Sequence, residues 1–365
     1  MKRTRFEELD VLRGLAAIMV VFFHYTMGRN QADLGFKLGT TGVDLFFIIS
    51  GFVILLSLEH VEKSGQFVIN RISRLYPTYW ASVSITFSML LLCGIYKMDF
   101  SDVSIVQYFG NMTMFQFYLK IQNMDGPYWT MIIEMLFYIF MLIIFHFKFL
   151  NHLNKIGVFL IVFIVLLTYF QFDNIWVKRL FYGIPVLQFW PLFFTGILFY
   201  KIIKRNINRI KYYGMIILCL FSQIILFDYS GRSKYFIDFY EYAFMLIFYF
   251  SLFTLLVNGR LKFIINSPSL FLGKISFALY LIHQRISLRF IIPFLTKKLS
   301  LNFWLSSAIA LFLSIGIATC ITYLIEVPCN RKMRKKLYTT LYKRPFIRNR
   351  YRQRFDLENE KMGSE

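Results

Sequence analysis

The feature that most constrains the fold is a series of apolar stretches, each long enough to cross a bilayer as one helix. The hydrocarbon core of a membrane is about 30 Å thick and requires about 20 apolar residues per helix. Composition fits such a series, since 57% of the residues are hydrophobic and only 17% are charged. The sequence therefore predicts an all-α fold, a polytopic bundle of about ten transmembrane helices. The predicted spans lie near residues 11–28, 40–58, 75–95, 130–147, 156–171, 181–203, 212–228, 238–257, 274–293 and 302–326.

Positive charge is concentrated between the apolar stretches and at the C-terminal end of the chain. The formal net charge is +21, which in a soluble protein would suggest binding to nucleic acid. If ten spans alternate from a cytoplasmic N-terminus, 28 of the 41 Lys and Arg residues lie on the cytoplasmic side, counting Lys201 and Lys274 at the cytoplasmic ends of their spans, and 10 lie on the other side. Cytoplasmic segments of membrane proteins are enriched in these residues. The distribution predicts that both termini are cytoplasmic and that the partner of this chain is membrane lipid, with no nucleic acid.

The chain divides into two predicted regions. A multi-span domain occupies residues 1–330, and a basic cytoplasmic tail occupies residues 331–365. The tail interleaves Lys and Arg with Tyr and Phe, so it lies either on anionic lipid as a surface helix or in solvent. The four cysteines show no metal-ligand spacing, and no metal site is predicted.

Ionisable side chains within the predicted spans are the main indication of chemistry. Such a group costs several kcal/mol in lipid unless it is paired or lines a cavity. Arg13 and His24 lie 11 residues apart, which places them on one face of a helix about 16 Å apart along its axis. Asp44 and Glu134 each lie about a turn inside the outer end of a span, near the expected depth of His24. The alternative for each residue is an interfacial side chain that reaches water or snorkels.

Further basic residues lie at the inner surface and in a late span. Arg71 and Arg74 are spaced i, i+3, so they project from one side of a helix as a double cation suited to phosphate groups. The alternative is ordinary cytoplasmic positive charge. His283, Arg285 and Arg289 make the ninth span the most polar late helix, without a predicted role.

Five motifs follow one another along the chain: LDVLRGLAAIMVVFFHY, GVDLFFIISGF, RISRLYPTYW, PYWTMIIEMLFY and ISFALYLIH. In this order they resemble the membrane acyltransferases of family three. That family consists of multi-span bacterial enzymes that O-acylate sugars and other cell-envelope acceptors. The resemblance spans about residues 6–290, and its implied donor is cytoplasmic acyl-CoA, most often acetyl-CoA.

The resemblance assigns roles to six residues. Arg13 and His24 match the family's first-span pair, and Arg71 and Arg74 match its double arginine. Asp44 and Glu134 fall in the motifs of the second and fourth spans. The predicted donor-binding residues are Arg13, Arg71 and Arg74, and the predicted catalytic residues are His24, Asp44 and Glu134.

The sequence thus predicts an integral-membrane O-acyltransferase of the bacterial inner membrane. It would move an acyl group, foremost acetyl, from cytoplasmic acyl-CoA to a hydroxyl of an exported glycan such as a polysaccharide, O-antigen or lipid-linked sugar. One alternative is a proton-coupled transporter or flippase, which predicts inverted repeats and broken helices in matching halves. Neither is visible in the sequence. A non-catalytic polymer-export partner is a further alternative, but it would not need Arg13 and His24 on one face.

Overall fold

A computed structural model describes residues 6–95, 104–170, 175–204, 209–229 and 233–342. These residues form α-helices joined by 3₁₀ turns and short loops, and none of them lies in a β-strand. The predicted all-α fold is confirmed. The helices are α1 Glu7–Thr26, α2 Gly42–Leu58, α3 Ser64–Ile95, α4 Ile105–Met112, α5 Trp129–His146, α6 Leu153–Phe170, α7 Ile175–Gly183, α8 Trp190–Lys204, α9 Arg209–Ile225, α10 Phe239–Val257, α11 Ser267–Ile286, α12 Ile292–Lys297, α13 Phe303–Cys320 and α14 Val327–Leu341.

The helices form a multi-pass membrane bundle. Within the described ranges, nine helical segments are long and apolar enough to cross a membrane. They account for all the predicted spans except the one near 75–95. That span lies in α3, a 32-residue helix whose first part carries Arg71 and Arg74. Arg71 and Arg74 therefore belong to the same helix as the predicted span near 75–95.

Two late spans contain π turns. Ser287–Ile291 joins α11 to α12, and Ile321–Glu326 joins α13 to α14. The second junction carries the helix past residue 330 to Leu341, so the predicted tail begins within α14. Residues 343–365 of that tail lie outside the described residues.

Close helix packing places α1 at the centre of the functional region. A Cβ atom built on Gly14 of α1 would lie 2.8 Å from the backbone nitrogen of Gly273 on α11. A Cβ atom on Gly273 would in turn collide with the carbonyl of Asp10. Small residues let two backbones approach in this way, which is a common basis of helix association in membranes. The side chains of α1 and α11 are thereby brought within hydrogen-bond distance of each other.

Candidate active site

A first cavity lies beside the N-terminal half of α1, between α2, α3, α5 and α11. Its volume is about 80 Å³. We call it the arginine cavity because three cations from two helices line it. Its polar lining includes Arg13, Arg71, Arg74, Ser50, Glu134 and Tyr138.

Arg71 is the most enclosed of these cations, with 8% of its surface exposed. Its Nη2 donates to Ser57 Oγ at 3.1 Å, and its guanidinium carbon lies 5.8 Å from the ring centroids of Phe67 and Tyr138. Its Nε and Nη1 have no hydrogen-bond partner among the described residues, nor does Nε of Arg13. Buried N–H groups are almost always hydrogen-bonded in proteins. Unpaired donors around a cavity therefore suit an anionic ligand.

Glu134 belongs to the arginine cavity. Its Oε1 accepts a hydrogen bond from Ser50 Oγ at 3.0 Å and a short one from the Tyr138 hydroxyl. The expectation that Glu134 lies at the depth of His24 and Asp44 is therefore wrong. That expectation placed the start of α5 at the membrane surface. However, Ser50, the partner of Glu134, lies six residues after Asp44 on α2, roughly 9 Å farther along the helix axis, so Glu134 lies at a different depth from Asp44.

A second cavity lies beside the C-terminal part of α1. It measures about 50 Å³, and we call it the histidine cavity. His24 and Asp44 both line it, as expected from the sequence. Val43 and Tyr280 line both cavities, so the two meet at these side chains.

Asp44 is a buried carboxylate near the start of α2, with 1% of its surface exposed. Its Oδ1 accepts a hydrogen bond of 3.4 Å from the Tyr242 hydroxyl, which itself accepts from Gln223 Nε2 at 3.1 Å. Its Oδ2 has no hydrogen-bond partner among the described residues. The carboxylate can thus accept a hydrogen bond from a ligand in the histidine cavity.

The imidazole of His24 is held by a second histidine. His24 Nδ1 lies 2.9 Å from Nε2 of His283 on α11. His283 is completely buried, and its Nδ1 lies 3.1 Å from the carbonyl oxygen of Leu279 and 2.9 Å from that of Tyr280. The sequence prediction gave His283 no role, although it ends the fifth motif. The signal available in the sequence was an ionisable histidine within a predicted span.

Asp125 is a further buried carboxylate that sequence analysis missed. It accepts hydrogen bonds from the backbone N–H of Gly126 at 2.7 Å and of Arg285 at 3.1 Å. Arg285 Nη1 also donates to the carbonyl of Met124 at 3.0 Å. Burial raises the pKa of Asp125 to about 7, against the lowering effect of these N–H groups. Asp125 and Arg285 therefore join the segment before α5 to α11, just past His283.

The described part of the chain contains no group of three or more His, Cys, Asp or Glu side chains that could hold a metal ion. The groups available for chemistry in the two cavities are an imidazole, two carboxylates, hydroxyls and guanidiniums. Such a set can bind an anion and transfer a proton.

Comparison with known proteins identifies the chemistry. A family model described as an acyltransferase domain, that of acyltransferase family 3, matches residues 6–326. The chain belongs to this family. Family membership shows that the chain is an acyl-transferring enzyme. It therefore favours that prediction over the transporter and the non-catalytic export partner.

Three curated relatives of this acyltransferase are informative. A viral protein named as a candidate acetyltransferase, ORF330 of Acidianus two-tailed virus, is 26% identical over 281 residues, or 74% of this chain and 80% of the relative. Nodulation protein 10 of Rhizobium leguminosarum bv. viciae is 26% identical over 159 residues, which cover 36% of this chain and 41% of that protein. A candidate membrane-bound transacylase, BcsY of Komagataeibacter xylinus, is 29% identical over 148 residues, covering 37% and 36%. No solved structure matches the chain.

Proposed function

We propose that this membrane acyltransferase moves an acetyl group from cytoplasmic acetyl-CoA to a hydroxyl of a cell-envelope glycan, in the bacterial inner membrane. The observation that carries the proposal is the meeting of the two cavities at Val43 and Tyr280. One cavity is lined by cations and the other by a hydrogen-bonded imidazole. A donor that binds by its phosphates in the first could therefore present its acyl end in the second.

The orientation of the bundle follows from its charge. The Lys and Arg distribution favours a cytoplasmic N-terminus, and Arg13 lies in the first half of α1. The arginine cavity is then the one nearer the cytoplasm, where acyl-CoA is made. The histidine cavity is nearer the opposite face, where an exported glycan would be available.

The donor site is formed by Arg13, Arg71 and Arg74. Guanidiniums bind phosphate oxygens through paired, charge-assisted hydrogen bonds. Nε of Arg13 and Nε and Nη1 of Arg71, which have no hydrogen-bond partner among the described residues, supply such donors. Glu134 acts here as a positioning residue, since it holds the Tyr138 hydroxyl while the Tyr138 ring lies against Arg71.

The chemical step takes place at His24. Its imidazole removes the proton of the acceptor hydroxyl as the hydroxyl oxygen attacks the thioester carbonyl. The new C–O bond forms, the C–S bond breaks, and the proton on His24 passes to the departing CoA thiolate. Asp44, in the same cavity, accepts a hydrogen bond from the acceptor glycan and favours the imidazolium that forms nearby.

The test compares envelope glycans and lipids from cells with and without the protein by mass spectrometry. Loss of one acetyl mass from a sugar in the deletion strain, restored by the wild-type gene but not by His24→Ala, is the expected result. An unchanged set of glycans and lipids would contradict the proposal. A mass change other than acetyl would correct the acyl group.

A further inference from the structure

We propose that His283 is a positioning residue that fixes the tautomer of His24 and keeps its Nδ1–H hydrogen-bonded throughout acyl transfer. The inference rests on the proposed function, in which His24 is the general base. It adds a residue for which neither motif spacing nor charge predicted a role. It is carried by the hydrogen-bond geometry around two buried rings.

The direction of each hydrogen bond can be assigned from His283 outward. Carbonyl oxygens only accept hydrogen bonds, so the Nδ1 of His283, within 3.1 Å of two of them, carries a hydrogen. The other nitrogen, Nε2, lies 2.9 Å from His24 Nδ1, and one of these two atoms must be the donor. If Nε2 of His283 donated, that ring would carry two hydrogens and a positive charge.

A charged His283 is disfavoured by its surroundings. The side chain is completely buried, and no carboxylate is hydrogen-bonded to it among the described residues. An isolated buried cation is strongly unfavourable. The ring is therefore neutral, its Nε2 accepts, and His24 Nδ1 donates.

This assignment decides which nitrogen of His24 does the chemistry. With Nδ1 protonated, Nε2 is the nitrogen of the neutral ring that can receive a proton. Once the ring is protonated, its Nδ1–H still points to His283, and the hydrogen bond becomes charge-assisted. The role corresponds to that of the carboxylate in a Ser-His-Asp triad, here filled by a neutral ring.

The fold fixes His283 from several sides. The close approach of Gly14 and Gly273 sets the spacing of α1 and α11, and the π turn Ser287–Ile291 begins four residues after His283. Interruptions of this type are frequent at functional sites. Asp125 and Arg285 hold the helix between these points.

Titratable groups on the neighbouring elements define the electrostatic setting of the pair. They are Tyr25 on α1, Asp44 on α2, Asp125 before α5, and Tyr280 and Arg285 on α11. Asp125 and Arg285 are bonded to each other, and Asp44 to Tyr242. A substitution at 283 removes the hydrogen bond from His24 to His283 and leaves these groups in place.

The kinetic test compares His283→Leu with His283→Gln in reconstituted enzyme. Leucine cannot accept a hydrogen bond, whereas the side-chain oxygen of glutamine can. We expect His283→Leu to lower kcat by about 10–100-fold, the range seen when an orienting partner of a histidine is removed, with an unchanged KM for acetyl-CoA. His283→Gln should recover much of the loss. The acidic limb of the pH profile of kcat should move to lower pH in His283→Leu, because the His24 imidazolium loses its acceptor.

Several outcomes would overturn the inference. Wild-type kcat and pH profile in His283→Leu would do so, as would a His283→Gln enzyme no better than His283→Leu at equal folded content. A purely structural role would lower the amount of active enzyme without moving the pH profile. If His24→Ala itself acylates the acceptor, the proposed function fails. If His24→Ala is inactive but His283→Leu is unaffected, only the role of His283 fails.

A spectroscopic measurement does not depend on any variant at 283 folding. The chain has only five histidines, so ¹⁵N NMR signals of the labelled rings can be assigned with single substitutions. We expect neutral His24 in the wild-type protein to carry its hydrogen on Nδ1, with Nε2 unprotonated. A hydrogen on Nε2 of neutral His24 would overturn the inference.

Discussion

The arginine cavity and the histidine cavity both lie along α1, but they differ in the charge and the hydrogen bonding of the polar groups that line them. The first has three cations, with N–H groups that no described residue satisfies. The second has an imidazole held by a neutral ring and one enclosed carboxylate. The difference suggests that N–H groups without a hydrogen-bond partner among the described residues serve to bind a ligand, whereas a fixed hydrogen-bond direction serves to move a proton. Substitutions in the two cavities should therefore change different kinetic constants.

The largest expected effect is on kcat and follows loss of His24. General-base assistance is worth roughly 10²–10⁴-fold, so His24→Ala should lower kcat by that factor with little change in the KM for acetyl-CoA. The measurement is acetyl transfer to the natural acceptor in membrane vesicles. His60→Ala is a matched control, because His60 lies past the end of α2 and lines neither cavity. Near-normal turnover by His24→Ala would remove the basis of the comparison.

A smaller effect, on donor binding, should follow removal of two cations from the arginine cavity. A hydrogen bond to a charged group contributes about 1.5–3 kcal/mol. Combined Arg71→Ala and Arg74→Ala should raise the KM for acetyl-CoA by roughly 10-fold or more, and kcat at saturating donor should fall far less. Paired substitution of the exposed Arg260 and Lys262 by Ala controls for lost surface charge. An unchanged donor KM would contradict the assignment of this cavity.

Glu134→Gln tests whether Glu134 acts in donor binding or in proton transfer. The sequence grouped this residue with His24 and Asp44, but it lines the arginine cavity. The change keeps the hydrogen bonds with Ser50 and Tyr138 feasible but removes a negative charge near Arg71. We expect a change of a few-fold in the KM for acetyl-CoA, of the size typical for one partly screened charge, and an unaltered pH profile of kcat. Thr130→Ser, a mild change in the same cavity, is the control. A shifted pH profile would return Glu134 to the proton-transfer group.

The sequence predicted the fold and residues that line the two cavities better than it predicted which cavity each residue lines. Hydrophobic length alone identified the nine spans that the described residues contain, because lipid leaves little freedom in how long a helix must be. The shared face of Arg13 and His24 followed from helical periodicity. The depth of Glu134 did not, since counting residues along α5 cannot show which part of α2 that helix packs against. The pairing of His24 with His283 joins positions 259 residues apart and depends on tertiary packing that local patterns do not encode.

The smallest expected effect is on protein stability. It concerns Asp125, which joins the segment before α5 to α11 next to His283. Because burial raises the pKa of Asp125 to about 7 from an ordinary value near 4, the folded protein favours the protonated carboxyl. The stability that this group contributes is fully present below about pH 4 and is lost as the pH rises through about 7.

Asp125→Asn, which is neutral at every pH, should remove this dependence. At pH 8 the variant should unfold at a temperature roughly a few degrees higher, relative to wild type, than at pH 5. Thermal unfolding of detergent-purified protein at both pH values measures this, with the exposed Asp33→Asn as control. An equal difference at the two pH values would show that Asp125 is ionised throughout, and that the contact between the segment before α5 and α11 is an ion pair between Asp125 and Arg285.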